Sequence, residues 1–398
     1  MVSLKDRDQK VFQEKLQTEM AAQHVDGLIL TDYGAIYYAT GYASKFQYFD
    51  SRPGTTIAVV PAKGPCTLIV SEFEMQTPLA QCKDVNVEIV PCPVFIDELE
   101  VKYTSKPVKT DSKMGFRLAM DILLADNPKA VIGYQHDYVT IEPYLFMKSY
   151  GKDATMVDCG ALLNAVRCIK TPWEIDVLRT AAQLSDKSLW EIVPRFHVGM
   201  TMAEYLNMGA VNAFSQDPKV TEFIDMCAFG KHFSPAFFGM NDPCREGDIL
   251  RYDGGLTLLG YVTDFARTFC MGKASDRAKR IYAAEVAGYE TAMSLIRPGE
   301  SARYVFEKAQ QAVRDNGIPN YLRGFVGHSI GCNHFAEEWP YIAPNSDIIF
   351  KPGMVFSVEF PYYNPNVGGF NIEDTIVITE TGYEKFTDCP REIVELNV

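Results

Sequence analysis

The chain has 398 residues, 47% of them hydrophobic, and a formal net charge of −13. That length predicts two domains with substantial cores, and the acidic balance, with no basic stripe interleaved with aromatics, argues against a nucleic-acid partner. The opening residues are polar and helix-like, without an apolar run for a signal peptide or a membrane span, and ten cysteines without a C-x-x-C read as reduced thiols of a cytoplasmic protein.

Helical periodicity over residues 8–24 gives way to a buried-strand pattern at 25–30. Further short strands are predicted at 57–60, 66–70 and 87–90, with 130–133 as the last central strand. Helical stretches lie between them, including 115–124. Such alternation predicts an α/β N-terminal domain over residues 1–160. The pattern changes near 166–175. Thr171 is a good N-cap, Pro172 suits the first helical position and Glu174 completes a capping box. A long helix over 172–194 is therefore predicted to enter a second domain, 161–398. Helices near 202–214, 275–295 and 300–316 follow, punctuated by glycine and proline as in Arg297-Pro298-Gly299-Glu300.

Five residues of this second domain carry the chemistry: Asp253, Asp264, His328, Glu359 and Glu373. Each sits on or beside an apolar, strand-like stretch: ILRYD, YVTDFART, FVGHSIG, MVFSVEF and FNIEDTIVI. Charged groups are rarely placed among buried strands unless something pairs with them. These stretches are read as carrying no matching set of Lys or Arg, so a pair of divalent cations is the simplest partner. Carboxylate and imidazole donors suit Mn, Co, Zn or Fe(II), and no thiolate is offered to select zinc. The Gly-rich connection from Gly254 to Gly260 predicts a hairpin that brings Asp253 and Asp264 onto neighbouring strands.

The order and spacing of these residues resemble the pita-bread metallopeptidase and creatinase superfamily, which includes methionine aminopeptidase, prolidase, Xaa-Pro aminopeptidase, creatinase and a few lyases. The likeness rests on Asp253, Asp264 eleven residues later, the turn Gly327-His328-Ser329-Ile330-Gly331, Glu359 after Pro352-Gly353-Met354-Val355, and Glu373. Arg167-Cys168-Ile169-Lys170, with Glu174 after it, matches the family's entry to its catalytic domain. The resemblance implies an α+β pita-bread domain whose curved antiparallel sheet holds two divalent ions. Asp264 and Glu373 would bridge them, Asp253 would complete one and His328 with Glu359 the other. It further implies a hydrolase of the Xaa-Pro peptidase type, prolidase or aminopeptidase P. A metal-bridging hydroxide would attack a C–N bond of a small-molecule or short-peptide substrate, with Glu359 as proton shuttle. Arg267 would support the carboxylates from behind, and a homodimer is expected.

The chain also departs from the peptidase pattern. A substrate-facing histidine expected seventeen residues before the first Asp is replaced by Ala236, with His232 four residues upstream. A second, expected seven positions after His328, is replaced by Phe335, with His334 one residue early. His232 and His334 are the catalytic candidates that these offsets leave. Arg52, after the aromatic run at 46–50, is a candidate for a bidentate contact to a substrate carboxylate. Tyr362, just after Glu359, is a second candidate for substrate binding. The departures keep open a small-molecule specialist of the same fold, either a creatinase-like C–N hydrolase or a lyase of the dimethylsulfoniopropionate type. A catalytically silent binding protein is the rival from another class, and the intact set of five argues against it.

Overall fold

The computed structural model describes residues 2–50, 54–83, 85–93, 113–233, 242–333 and 336–397. Backbone contacts divide the chain between Arg167 and Cys168 into two compact units; residues 2–4 group with the second unit, Cys332 and Asn333 with the first. Arg52, Ala236, His334 and Phe335 lie outside the described residues.

The first unit is built on six strands: β1 (Gly27–Leu30), β2 (Thr56–Pro61), β3 (Cys66–Ser71), β4 (Val87–Cys92), β5 (Val131–Tyr134) and β6 (Thr155–Asp158). Their order is β4-β3-β2-β1-β5-β6. Pairings β1–β2 and β2–β3 are antiparallel and the others parallel. Strands β1 and β3 are buried throughout, as expected where helices cover both faces. Ile29, Ile57 and Ile69 from the sheet pack with Phe116 and Met120 of the helix Met114–Leu124. The α/β reading of this domain holds, with a mixed rather than a parallel sheet.

The second unit carries an eleven-stranded sheet. Its first members are β7 (Val220–Asp225), β8 (Ala228–Phe229), β9 (Ile249–Leu258), β10 (Tyr261–Val262) and β11 (Phe265–Met271). Then come β12 (Gly327–Ser329), β13 (Glu338–Tyr341) and β14 (Val355–Glu359). A separate hairpin, β15 (Tyr362–Asn364) with β16 (Gly368–Phe370), precedes β17 (Glu373–Ile378), β18 (Tyr383–Lys385) and β19 (Val394–Leu396). The main path runs β10-β9-β11-β17-β14-β12-β13. Every pairing is antiparallel except β11 with β19. Register shifts within β7 and β12 mark bulges, which bend a sheet locally.

Four helices cover one face. Pro172–Ile192 begins at the predicted capping box, with Thr171 and Glu174 satisfying each other's backbone N–H, and continues into a 3-10 turn at Val193–Arg195. Met202–Gln216 has a second capping box, Thr201 with Glu204. This pair packs Leu189 and Tyr205 on Leu250, Tyr252 and Phe269 of β9 and β11. The helices Asp276–Leu295 and Ala302–Asp315 pack Tyr289 and Val305 on Phe356, Val358 and Ile376 of β14 and β17. Strand side chains alternate between faces. Arg251, Asp253, Ser357, Glu359, Glu373 and Thr375 therefore stand on the face the helices leave open, as does His328, which pairs with Ser357.

Candidate metal centre

Sheet register assembles the centre. Asp253 on β9 lies opposite Ala266 on β11, Ala266 opposite Glu373 on β17, and Glu373 opposite Glu359 on β14. One row thus crosses four strands and carries three of the five carboxylate and imidazole residues. Asp264 leads into β11, and its carbonyl accepts hydrogen bonds from Ser357 Oγ and Thr375 Oγ1, both 2.8 Å. The predicted hairpin is present: β9 turns into β10 at Leu259 and Gly260, both at positive φ. Gly254 and Gly255 have a separate reason. A Cβ on either would strike backbone carbonyls, of Ile224 and Thr263 respectively, so only glycine lets β7 and the Asp264 loop approach β9 this closely.

Asp264, His328 and Glu373 form the inner group, with one donor atom of each within 4.8 Å of the others. His328 Nδ1 lies 3.1 Å from Ser329 O. A carbonyl only accepts, so Nδ1 carries the proton and Nε2 presents its lone pair. Nε2 is 3.7 Å from Glu373 Oε1 and 3.9 Å from Asp264 Oδ2. Glu373 Oε1 is buried with no hydrogen-bond partner among the described residues. A buried carboxylate oxygen is costly to leave unpaired, and a cation among these three donors removes that cost. The donor set fits a divalent metal ion.

Asp253 and Glu359 flank the inner group, and each has a guanidinium beside it. Arg251, two residues before Asp253 and on the same strand face, donates from Nη1 to Asp253 Oδ2. Its Nη2 donates to Met226 O (2.6 Å) and Phe233 O (3.4 Å), and its head lies over the Tyr363 ring at 5.3 Å. Arg323 Nη2 is 3.4 Å from Glu359 Oε1. Asn371, fully buried, spans the gap: its Nδ2 donates to Asp253 Oδ2 (3.3 Å) and Glu373 Oε2 (3.4 Å). The reading that the acidic stretches lack basic partners is thus corrected. ILRYD itself contains Arg251, whose side chain is only 4% exposed, and period-two geometry places it beside Asp253.

Electrostatics follow from this crowding. Burial first, and then the charges of Glu373 and Asp253, push the Asp264 carboxyl well above the usual carboxylate range. Glu373 is raised well above it by burial and the Glu359 and Asp253 charges. Glu359 is raised by burial, and His328 and Arg323 pull it back. Without a cation, such acids hold protons; a bound cation reverses that preference.

The surrounding residues hold the frame. Arg267, fully buried, donates to Asp374 Oδ1 (2.5 Å) and from Nη1 to the carbonyls of Glu373 and Ala266 (both 2.7 Å). It grips the β17 backbone at Glu373, while Asp374 on the opposite face also accepts from Tyr289 and lies 3.3 Å from Lys385 Nζ. Lys170 does more than mark a domain entry. Its buried Nζ donates to Ser329 Oγ (2.7 Å) and Glu338 Oε1 (2.9 Å), fixing the residue after His328. A Cβ at Gly331 would strike Glu338 Oε1, so the glycine of the Gly-His-Ser-Ile-Gly turn makes room for this ion pair. Tyr362 packs towards Tyr321 at 6.4 Å; its neighbour Tyr363 lies against Arg251. His232 pairs with Asp242 at 3.0 Å and is largely exposed, lining a 290 Å³ cavity with Lys231 and Arg245.

Comparison with known proteins places both parts of the chain. Residues 13–169 match the creatinase/prolidase N-terminal domain. Mycobacterium tuberculosis "Probable dipeptidase PepE" is 32% identical over 241 residues, 60% of this chain and 63% of that protein. A Pyrococcus furiosus Xaa-Pro dipeptidase is 27% identical over 249 residues, covering 62% of this chain and 70% of that one. The crystal structure of recombinant prolidase from Thermococcus sibiricus superposes with TM-score 0.82 at 21% identity, covering 98% of this chain and all of that one, and so shares the fold. Residues 176–380, which span the carboxylate row, His328 and the helices behind them, match the model of metallopeptidase family M24; the chain belongs to that family and is a metallohydrolase.

Proposed function

We propose that this protein hydrolyses the C–N bond of short peptides of the Xaa-Pro class, using divalent metal held by Asp253, Asp264, His328, Glu359 and Glu373. The observation that supports it most directly is the inner group of Asp264, His328 and Glu373, with a buried, unpartnered Glu373 oxygen facing a histidine whose tautomer is set from behind. The likeness to named dipeptidases supplies the substrate class. A divalent ion bound there supplies Lewis acidity, polarising a carbonyl and acidifying water.

The chain's own residues do the rest. Glu359 is raised by burial, so it can take a proton from the attacking water and return it to the leaving nitrogen. Arg323 beside it disfavours its staying protonated. Arg251 and Asn371 keep the Asp253 carboxylate turned into the site. Lys170, through Ser329, and Arg267, through the Glu373 carbonyl, fix the strands that present the ligands. A homodimer belongs to the same reading and rests on the family likeness alone; a cytoplasmic location rests on the ten cysteines without a C-x-x-C.

A small-molecule specialist of the same fold is the second reading. One observation favours it: His232 engages Asp242, not the carboxylate row. Turnover of Gly-Pro and Ala-Pro with added Mn tests the first reading. Metal uptake without turnover of either dipeptide rejects it in favour of the specialist.

A further inference from the structure

One buried acid of this domain takes no part in the carboxylate row. Glu285, on the helix Asp276–Leu295, is fully buried, and neither of its carboxyl oxygens has a hydrogen-bond partner among the described residues. Tyr321 Oη and Arg323 Nε are buried and without one in the same way. Buried polar atoms are seldom left so, because each costs stability. The three side chains lie together. Arg323 is the charge that acts on Glu285; burial raises the Tyr321 hydroxyl, Glu285 adds to that rise and Arg323 opposes it. They form a polar pocket within the apolar packing of helix on sheet, at the end of β14. Gly288, one turn after Glu285, lets the helix approach there: a Cβ on it would meet the Phe360 ring at 2.8 Å, and Phe360 follows Glu359. The segment that carries the other two is pinned through its main chain. Arg314 Nε donates to Tyr321 O (2.8 Å), and the Arg323 N–H donates to Gln310 Oε1 (2.7 Å). On the other side, Arg323 Nη2 stands 3.4 Å from Glu359 Oε1, beyond the roughly 2.7–2.9 Å of a closed charge-assisted pair.

We propose that Glu285 is a positioning residue for Glu359: it takes the Nε side of Arg323 through hydrogen bonds shared with Tyr321 Oη, and so keeps the guanidinium beside Glu359 without letting it close on that carboxylate. This rests on the reading of Glu359 as proton carrier and deepens it. A guanidinium drawn to one acceptor closes on it; drawn to two, it stands off from both. Standing off leaves Glu359 near a positive charge yet free to meet metal and water, whereas a closed pair would compete with both uses. The hydroxyl of Tyr321 both donates and accepts, so it can accept from Arg323 Nε–H and donate to Glu285, or one ordered water can reach all three. Burial raises Glu285 well above the usual carboxylate range, and Arg323 pulls it back. Protonated or not, it keeps an acceptor oxygen. A carboxyl group placed in an apolar core for this purpose weakens the fold around it.

Two substitutions in the intact protein test this. Glu285→Leu removes the acceptor at similar volume, and Glu285→Gln keeps one. In crystal structures of the metal-free proteins, Glu285→Leu should bring Arg323 Nη2 into a closed pair with Glu359, and Glu285→Gln should leave it standing off. In kinetics with added Mn, on whichever dipeptide the wild type cleaves, Glu285→Leu should lower kcat roughly 10-fold with KM little changed, and Glu285→Gln should recover most of the loss. In an Arg323→Met background the further loss from Glu285→Leu should vanish, because no guanidinium is left to close. The melting temperature of Glu285→Leu should be no lower than that of the wild type, since an unpaired buried polar group has been removed. Should Glu285→Leu not fold, Tyr321→Phe, which removes the shared hydroxyl, takes its place in the structural and kinetic comparisons. An Arg323–Glu359 contact that does not change in Glu285→Leu overturns the proposal, as does an equal loss of kcat in the Arg323→Met background. A lower melting temperature with that contact unchanged overturns it in favour of a structural role for Glu285. If the wild type cleaves no dipeptide, the Xaa-Pro reading fails by itself, and the crystal structures still decide where Glu285 holds Arg323.

Discussion

At the residue scale, burial turns each acidic side chain into a commitment. Glu359 is the clearest case, because its neighbours pull its proton affinity in opposite directions. Glu359→Gln keeps the size and one acceptor oxygen but loses the base. Turnover is expected to fall by roughly 10²- to 10⁴-fold with KM little changed, measured on whichever dipeptide the wild type cleaves. A drop confined to KM would remove Glu359 from proton transfer. Asp225 offers a test away from the row. Burial raises it to about 6, while Tyr205 Oη and the Cys227 N–H, both at 2.6 Å, favour its charge. An acid raised on folding supports the folded state below the usual carboxylate pKa and loses that support as pH rises through its folded value. The effect here is roughly 2–3 kcal/mol between pH 4 and 6. Asp225→Asn should flatten the fall in stability over that window in urea titrations; an unchanged slope would assign it to other groups.

At the element scale, the motif residues were legible in the sequence because metal chemistry restricts residue types and family spacing fixes their order. The helices were legible because capping boxes and periodicity are local signals: 172–194 became Pro172–Ile192 plus one tight turn, and 300–316 became Ala302–Asp315. What the sequence hid was long-range. Arg251 stands two residues from Asp253, yet its role depends on Met226 and Phe233 on another segment. Arg323 meets Glu359 36 positions away, and Asn371 ties Glu373, two residues on, to Asp253, 118 positions back. Lys170 was visible as a family mark, but its function as the clamp on Ser329 needs the 159-residue contact. Lys170→Met tests that clamp. Breaking a buried pair from one side strands Glu338 uncompensated, at a cost of about 3–5 kcal/mol. A loss of roughly 5–15 °C in melting temperature is expected, together with weaker metal retention, because the strand presenting His328 loses its anchor. Loss of stability with metal affinity intact would make Lys170 purely structural.

At the scale of the whole molecule, the carboxylate row should make the metal-free protein unusual in its response to pH. Burial raises Asp264, Glu359 and Glu373, and neighbouring carboxylates add to it at Asp264 and Glu373, so folding of the metal-free chain favours their protonated forms. For acids raised in this direction, stability is fully present below the unfolded carboxylate range, near pH 4, and declines as pH climbs through the folded values. The chelated protein should therefore melt at a higher temperature near pH 5 than near pH 8. Metal acts in the opposite sense: it binds the deprotonated ligands and competes with protons for them. The gain in melting temperature on adding Mn should accordingly be larger at pH 8 than at pH 5, and the two pH curves should converge when metal is saturating. Thermal unfolding of chelated and Mn-loaded protein across pH 5 to 8 reads both effects. If the chelated protein were instead most stable at pH 8, the row would be compensated by something other than protons or metal. The two arginines would then have to carry that role for all four carboxylates.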